Sequence, residues 1–464
     1  MRDLSALIKA YDVRGVVPDQ WGPELAGQVG TAFVEILGIR AADGGAGRIV
    51  VGHDMRPTGP DLVAAFIAGV TAAGVDVINI GLCSTDGLYF ASGSLDVPGA
   101  MFTASHNPAE YNGIKLCRAG AAPVGQDSGL ADIRHMLESE DFPTYDGPAG
   151  TATEQDMLED YAKHLRNLVP LENIRPLSVV IDTGNGMGGF TVPAVLGGQV
   201  LAPLPLQIDE MYFELDGSFP NHEANPIDPE NLRDLQARVV EVGADVGLAF
   251  DGDADRCFVV DEKGQIVDPS TLTALIATRE LAKHPGSTII HNLITSKAVP
   301  EIVLEHGGHP VRTRVGHSFI KATMAESGAV FGGEHSGHFY FRDFWKADSG
   351  MLAAMHALAA LGETTESTTL SELLTPFSRY VSSGEINTTV SDANAVTENI
   401  RAIFEARGAT FDTLDGLTVT GPNWWFNVRA SNTEPLLRLN VEGNDKQAME
   451  HIRDEVLALM KDGS

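Results

Sequence analysis

The sequence predicts an α/β protein built from three similar α/β units, followed by a smaller α+β domain. At 464 residues the chain is too long for one hydrophobic core, and at ~150 residues per domain it calls for about three or four. Several times an apolar, β-branched run stops at a polar or glycine-rich turn with helix-like sequence nearby. After about residue 375 the texture changes to helix, paired strands and helix.

Along the chain, "RIVVGHDMRPTG" ends at Asp54 and Arg56 and leads into helix-like "PDLVAAFIAGVTAAG". "LSVVIDTGNGMGG" ends at Asp182, "DVGLAFDGDADR" at Asp251 and "STIIHNLITSK" near Lys297. Strands alternating with helices place ligands beyond the carboxyl ends of the strands. "MLAAMHALAALG", from Met351, is far shorter than the ~18 residues of a membrane span and reads as a buried helix. In the last domain "NAVTENIRAIFEARG" reads as a helix, and "WWFNVRAS" and "LLRLNVEG" as a hairpin around "NTEP". "KQAMEHIRDEVLALM" puts Met449, Ile452, Val456 and Leu459 on one helical face. The expected domains are 1–150, 151–257, 258–375 and 376–464, the first boundary marked by "TYDGPAGTA".

A net charge of −31 argues against nucleic acid, whose phosphates are bound by Lys and Arg. Screening over about 8 Å still lets a local basic cluster hold an anion. Cys83, Cys117 and Cys257 form no CxxC pair, which predicts a reducing compartment without structural zinc. The opening "MRDLSALIKAYDVRG" lacks the apolar segment of a signal peptide, so the expected location is cytoplasmic, with no membrane partner.

Four motifs carry chemistry. In "MFTASHNPAEYNGIK", Ser105 is either ordinary turn chemistry or a reacting group. In "DGDADR", Asp251, Asp253 and Asp255 repel one another unless a hard cation such as Mg²⁺ or Ca²⁺ collects them. An EF-hand fails here, because Arg256 stands where the loop needs glycine and the flanks read as strands. "GEHSGH" sets Glu334, His335, Ser336 and His338 in a loop better suited to sugar hydroxyls than to zinc. "RASNTEP" joins Arg429 to Ser431, Asn432 and Thr433 as an anion cradle. "GNGMGG" satisfies GxGxxG but sits mid-chain with Pro193 close behind, and reads as a tight strand-to-helix turn.

Taken in order, TASHNP, DGDADR, GEHSGH and RASNTEP resemble the α-D-phosphohexomutase superfamily, over nearly the whole chain and most closely its bacterial phosphomannomutase/phosphoglucomutase branch. The resemblance implies four domains around a central cleft. It implies Ser105 as phosphoserine carrier and Mg²⁺ ligand, with Asp251, Asp253 and Asp255 as the other metal ligands. Glu334 and Ser336 would read sugar hydroxyls, and Arg429, Ser431, Asn432 and Thr433 would hold the distal phosphate. Tyr11 and Arg14 in "YDVRG" match an amino-terminal cleft motif, and Lys297 and His317 would assist with phosphate and sugar. Lys115, Arg256 and His338 stand at positions of proton-transfer or phosphate-contacting groups. His53 departs from the arginine many relatives carry in that peripheral segment.

The implied reaction moves a phosphoryl group between C6 and C1 of mannose or glucose, through a phosphoserine enzyme and a 1,6-bisphosphate. Glucose or mannose 1,6-bisphosphate would be the activator, a hexose phosphate the partner, and the chain a monomer or weak homo-oligomer. A phosphoglucosamine mutase and a non-catalytic sugar-phosphate binder are the alternatives. A serine hydrolase is not supported, since no GxSxG elbow or identifiable triad surrounds Ser105.

Overall fold

Ile49, Val50 and Val51 are β-branched and fully buried, the signature of a strand in a sheet covered on both faces. The computed structural model describes residues 3–40, 47–430 and 436–462. The chain forms two compact units, Met1–Val267 with Ser336–Ser371, and Asp268–His335 with Glu372–Ser464.

In the first sheet of the first unit, strand Arg48–His53 runs parallel to Gly99–Phe102 on one side and Asp76–Leu82 on the other. Ala152–Glu154 extends one edge in parallel, while Tyr111–Arg118 and then Val13–Val16 extend the other antiparallel. Phe33, Phe66 and Phe102 are buried against one another, with an edge-on Phe66–Phe102 contact at 5.3 Å. The carboxyl end of Gly99–Phe102 runs directly into Thr103–Ser105.

The second sheet sets Leu206–Met211, Leu177–Asp182 and Val246–Phe250 in parallel. Cys257–Asp261 then turns back antiparallel, pairing Cys257 with Phe250. Residues 251–256 are thus the turn of a hairpin whose two strands are wholly buried, as the apolar flanks predict. The "GNGMGG" turn leads into helix Gly188–Val195 and donates the Met187 N–H to the Gly252 carbonyl at 2.8 Å. Pro193 lies in that helix's second turn. Helix Gly350–Gly362 is buried at every residue, as expected of "MLAAMHALAALG".

In the second unit, His309–Thr313, Thr288–Asn292 and Phe331–Gly333 run parallel. Five antiparallel strands follow in the order Val381–Thr389, Leu436–Gly443, Trp424–Ala430, Leu417–Thr420, Thr410–Asp412. One face buries Phe426, Val428, Leu437, Leu439 and Val441 against helices Ala393–Glu405 and Lys446–Asp462. Met449, Ile452 and Val456 face that core as expected, Leu459 packs against it partly buried, and Met460 joins them fully buried. Among the described residues no helix is long and apolar enough to cross a membrane.

Candidate active site

Ser105 adopts φ +49°, the left-handed region, which costs an L-residue roughly 1–2 kcal/mol. The surroundings must therefore impose it. The buried Arg56 guanidinium donates to the carbonyls of Ser105, Asn107, Pro108 and Tyr111 at 2.7–2.9 Å and to Asp54 Oδ2 at 3.2 Å. Thr103 Oγ1 accepts the Ser105 N–H at 2.8 Å. A Cβ added at Gly252 would lie 2.4 Å from the Ser105 carbonyl oxygen, so glycine lets the aspartate turn approach the serine loop.

The three aspartates of that turn are fully buried. Asp251 Oδ2 accepts from Ser105 Oγ and from Arg256 Nε, each at 2.9 Å, and Oδ1 from the Arg256 N–H at 3.1 Å. Asp253 Oδ2 accepts from Lys115 Nζ at 2.7 Å and Thr85 Oγ1 at 2.5 Å, and Asp255 Oδ2 from Lys115 Nζ at 2.6 Å. Asp253 Oδ1 and Asp255 Oδ1 are buried without a hydrogen-bond partner. One oxygen from each carboxylate falls within 4.8 Å of the others. Unpartnered, all-oxygen donors at that spacing fit a hard divalent cation.

Electrostatics separate these groups. Burial pushes the Asp251 carboxyl up. Burial acts the same way on Asp253, but the charge and hydrogen bond of Lys115 prevail and hold that carboxyl well below the usual carboxylate range. Burial opposes the Lys115 charge, yet Asp253 and Asp255 hold its ammonium well above the ordinary lysine value.

A backbone bridge between Arg256 and His338 brings the histidine alongside. Its Nε2 lies 3.6 Å from Asp255 Oδ1 and 3.8 Å from Asp348 Oδ2, and its Nδ1 3.2 Å from Ser336 Oγ. Arg14 donates to Asn107 Oδ1 at 2.7 Å, tying strand Val13–Val16 to the serine loop. Tyr11 is half-buried just ahead of that strand. His106 Nδ1 sits 3.2 Å from Ser105 Oγ, and burial, helped by Arg256 and Arg14, pushes its imidazole down to about 2, leaving it neutral. Four groups here escaped the sequence reading as site residues. His106 stands inside the quoted motif and was legible, Arg56 reads only as the end of a strand, and Thr85 and Asp348 carry no local signal.

In the second unit, Glu334 is buried and accepts from the Gly316 N–H at 3.2 Å and from Asn292 Nδ2 at 3.4 Å. His317 is the first residue of helix His317–Ser327, directly after Gly316. Lys297 is exposed at the start of helix Ala298–Glu305. Arg429 lies between Asp415 and Glu385, 3.8 and 3.9 Å away, with its Nε buried and unpartnered. Ser431, Asn432 and Thr433 lie outside the described residues.

Models of the phosphoglucomutase/phosphomannomutase α/β/α domains I, II and III match residues 5–144, 159–264 and 268–380, and the model of its C-terminal domain matches 385–459. This chain belongs to the phosphoglucomutase/phosphomannomutase family. Membership makes it a phosphohexomutase, an intramolecular phosphotransferase. It is 40% identical over 458 residues to a phosphomannomutase of Escherichia coli, covering 98% of each chain. A phosphoglucomutase of Neisseria gonorrhoeae is 36% identical over 461 residues, covering 98% of this chain and 96% of that one. The crystal structure of a phosphoglucomutase/phosphomannomutase family protein from Burkholderia thailandensis superposes with a TM-score of 0.87 at 32% identity, covering 100% of this chain and 98% of that one.

Proposed function

We propose that this mutase interconverts the 6-phospho and 1-phospho forms of both mannose and glucose, through phosphorylated Ser105 and a hexose 1,6-bisphosphate. The observation that carries the reading is the Ser105 Oγ–Asp251 Oδ2 contact of 2.9 Å, made from a left-handed backbone beside two unpartnered carboxylate oxygens. A strained serine held against a cation-shaped cluster of acids is otherwise unexplained.

Phosphoserine brings roughly −2 at neutral pH into a cluster that already holds three carboxylates. Asp251, Asp253, Asp255 and the Ser105 phosphate would hold Mg²⁺, which withdraws charge from the transferring phosphoryl group when bound. Lys115 and Arg256 balance the remaining carboxylate charge. In the first transfer the Ser105 Oγ–P bond breaks as a sugar hydroxyl oxygen bonds to phosphorus, and the hydroxyl proton leaves to His338. In the second, the sugar O–P bond at the other end of the bisphosphate breaks as Ser105 Oγ bonds to phosphorus, and the sugar oxygen takes up the proton from His338. Glucose or mannose 1,6-bisphosphate primes the serine by the same chemistry. Glu334 and Ser336 read sugar hydroxyls, Arg429 with Ser431, Asn432 and Thr433 grips the distal phosphate, and Tyr11, Arg14, Lys297 and His317 complete the contacts.

The test is incubation with glucose 1,6-bisphosphate labelled on phosphorus, followed by peptide mass spectrometry. Stable label on Ser105 together with turnover of hexose 1-phosphates supports the reading. No label on Ser105 in an enzyme that turns over would sink it. Rates on glucosamine 1-phosphate, measured alongside, decide the amino-sugar alternative.

A further inference from the structure

Strand Leu436–Gly443 alternates, and Leu437, Leu439 and Val441 fill the core of the last domain. Glu442 therefore belongs to the opposite face, where a polar residue normally meets water. It is nevertheless 4% exposed. What covers it is the turn that opens helix Ala298–Glu305 together with its cross-strand partner Trp425. Its carboxylate accepts from Ser296 Oγ, from the Lys297 N–H at 3.0 Å and from Trp425 Nε1. Three donors on one buried carboxylate is a fixed geometry, since each lost bond would strand a charge away from water.

The turn so fixed carries two groups of the proposed sugar-phosphate site. Lys297 follows Ser296 directly and is itself exposed. Thr295 Oγ1 donates to Asn292 Oδ1 at 2.8 Å, and Asn292 Nδ2 donates to Glu334 at 3.4 Å. A continuous set of contacts thus runs from Glu442 through residues 292–297 to Lys297 and Glu334.

We infer that Glu442 is a positioning residue for substrate binding: it locks the 292–297 turn so that Lys297 meets the phosphate and Asn292 holds Glu334 toward the sugar. It touches no substrate itself. The inference rests on the proposed roles of Lys297 and Glu334.

The experiment is steady-state kinetics on Glu442→Gln, Lys297→Ala and the double variant, with thermal melts and Trp425 fluorescence to establish folding. Glu442→Gln should raise KM for hexose 1-phosphate about tenfold and leave kcat within about threefold, the signature of lost uniform binding. In the Lys297→Ala background the same substitution should change KM less than about threefold, because groups that act through one another are non-additive. Ser296→Ala, which removes one donor only, should show a smaller KM rise and serves if Glu442→Gln does not fold. Two outcomes overturn the inference: a folded Glu442→Gln enzyme with unaltered KM, or KM effects that multiply fully in the double variant. If Lys297→Ala alone leaves KM unchanged, the substrate role of Lys297 is lost and the inference goes with it.

Discussion

Lys115 Nζ lies 2.7 Å from Asp253 Oδ2, a charge-assisted hydrogen bond between residues 138 positions apart in the chain. The same ammonium reaches Asp255 Oδ2 at 2.6 Å. One cation thus occupies the Oδ2 atoms of two carboxylates, while their Oδ1 atoms stay unpartnered. Removing it strands buried charge, which typically destabilises by about 3–5 kcal/mol. Lys115→Met should melt earlier, lose at least about a hundredfold in kcat and bind Mg²⁺ about tenfold more tightly, since a competing positive charge is gone. Calorimetric titration decides it; weaker Mg²⁺ binding would mean that Lys115 chiefly aligns the carboxylates.

Ser105→Ala should reduce turnover by several orders of magnitude with the fold intact, because the proposed phosphoryl carrier is deleted. Ser105→Gly should be equally inactive yet more stable than the alanine variant by roughly 1 kcal/mol, since glycine adopts φ +49° without a Cβ clash. Denaturant midpoints of the two variants, read beside their rates, separate carrier chemistry from backbone strain. Near-normal turnover in folded Ser105→Ala would overturn the mechanism.

Asp253→Asn should weaken Mg²⁺ binding and depress kcat, because a clustered carboxylate loses its charge while keeping its shape. Chelation of the unaltered enzyme should abolish activity, and added Mg²⁺ should restore it. A rate that survives exhaustive chelation would remove the metal from the reaction.

The serine and aspartate motifs were legible because each packs its chemistry into six consecutive residues, so no knowledge of the fold was needed to see them. Arg56 was not, for its partners at Ser105, Asn107, Pro108 and Tyr111 lie on another segment and are mostly carbonyls, which every residue has. Thr85 is 168 positions from Asp253, and nothing around it suggests a metal loop. In the fold, buried strands such as Arg48–His53 announce themselves as apolar runs, whereas exposed Ala152–Glu154 shows no pattern. In the last helix the expected face packs on the core, Leu459 included, and Met460 extends it. Buried positions there step from Val456 to Met460, four residues rather than three, because a stripe of 3.6 period drifts along the helix.

Asp86 supplies a pH test beside the aspartate turn, for its neighbour Thr85 bonds Asp253. Its buried carboxylate accepts from Ser84 Oγ, from Tyr161 OH at 2.8 Å and from Ser349 Oγ at 2.6 Å. Burial outweighs those donors and pushes the carboxyl up to about 6. The folded state therefore holds this proton more tightly than the unfolded chain. The stability it contributes is full below about pH 4, falls as pH rises to about 6 and is flat above. Asp86→Asn lacks this titration, so from pH 4 to pH 7 the stability difference should move toward the variant by about 2 kcal/mol. Urea midpoints at four pH values measure it, and a constant difference would contradict the raised value.

Dual use of mannose and glucose phosphates follows from how the substrate must turn. In the proposed mechanism the bisphosphate reverses end for end between the two transfers, so one site must accept the ring both ways. Contacts near the middle of the ring survive that reversal, because O3 and O4 roughly exchange places. In the proposed reading Glu334 and Ser336 hydrogen-bond either hydroxyl. Mannose and glucose differ only in the orientation of O2, which such a pair need not contact. A site that does not bond a hydroxyl discriminates weakly over its placement, by ~1–3 kcal/mol or less. Arg429, 3.8 and 3.9 Å from Asp415 and Glu385, is proposed to meet a phosphate rather than C2. The two 1-phosphates should therefore give kcat/KM values within about two orders of magnitude. Glu334→Ala should impair both sugars in parallel, and Arg429→Ala should chiefly raise KM for both, as expected when uniform binding is lost. A preference beyond about 10⁴-fold for either sugar would mean that a residue other than these reads O2.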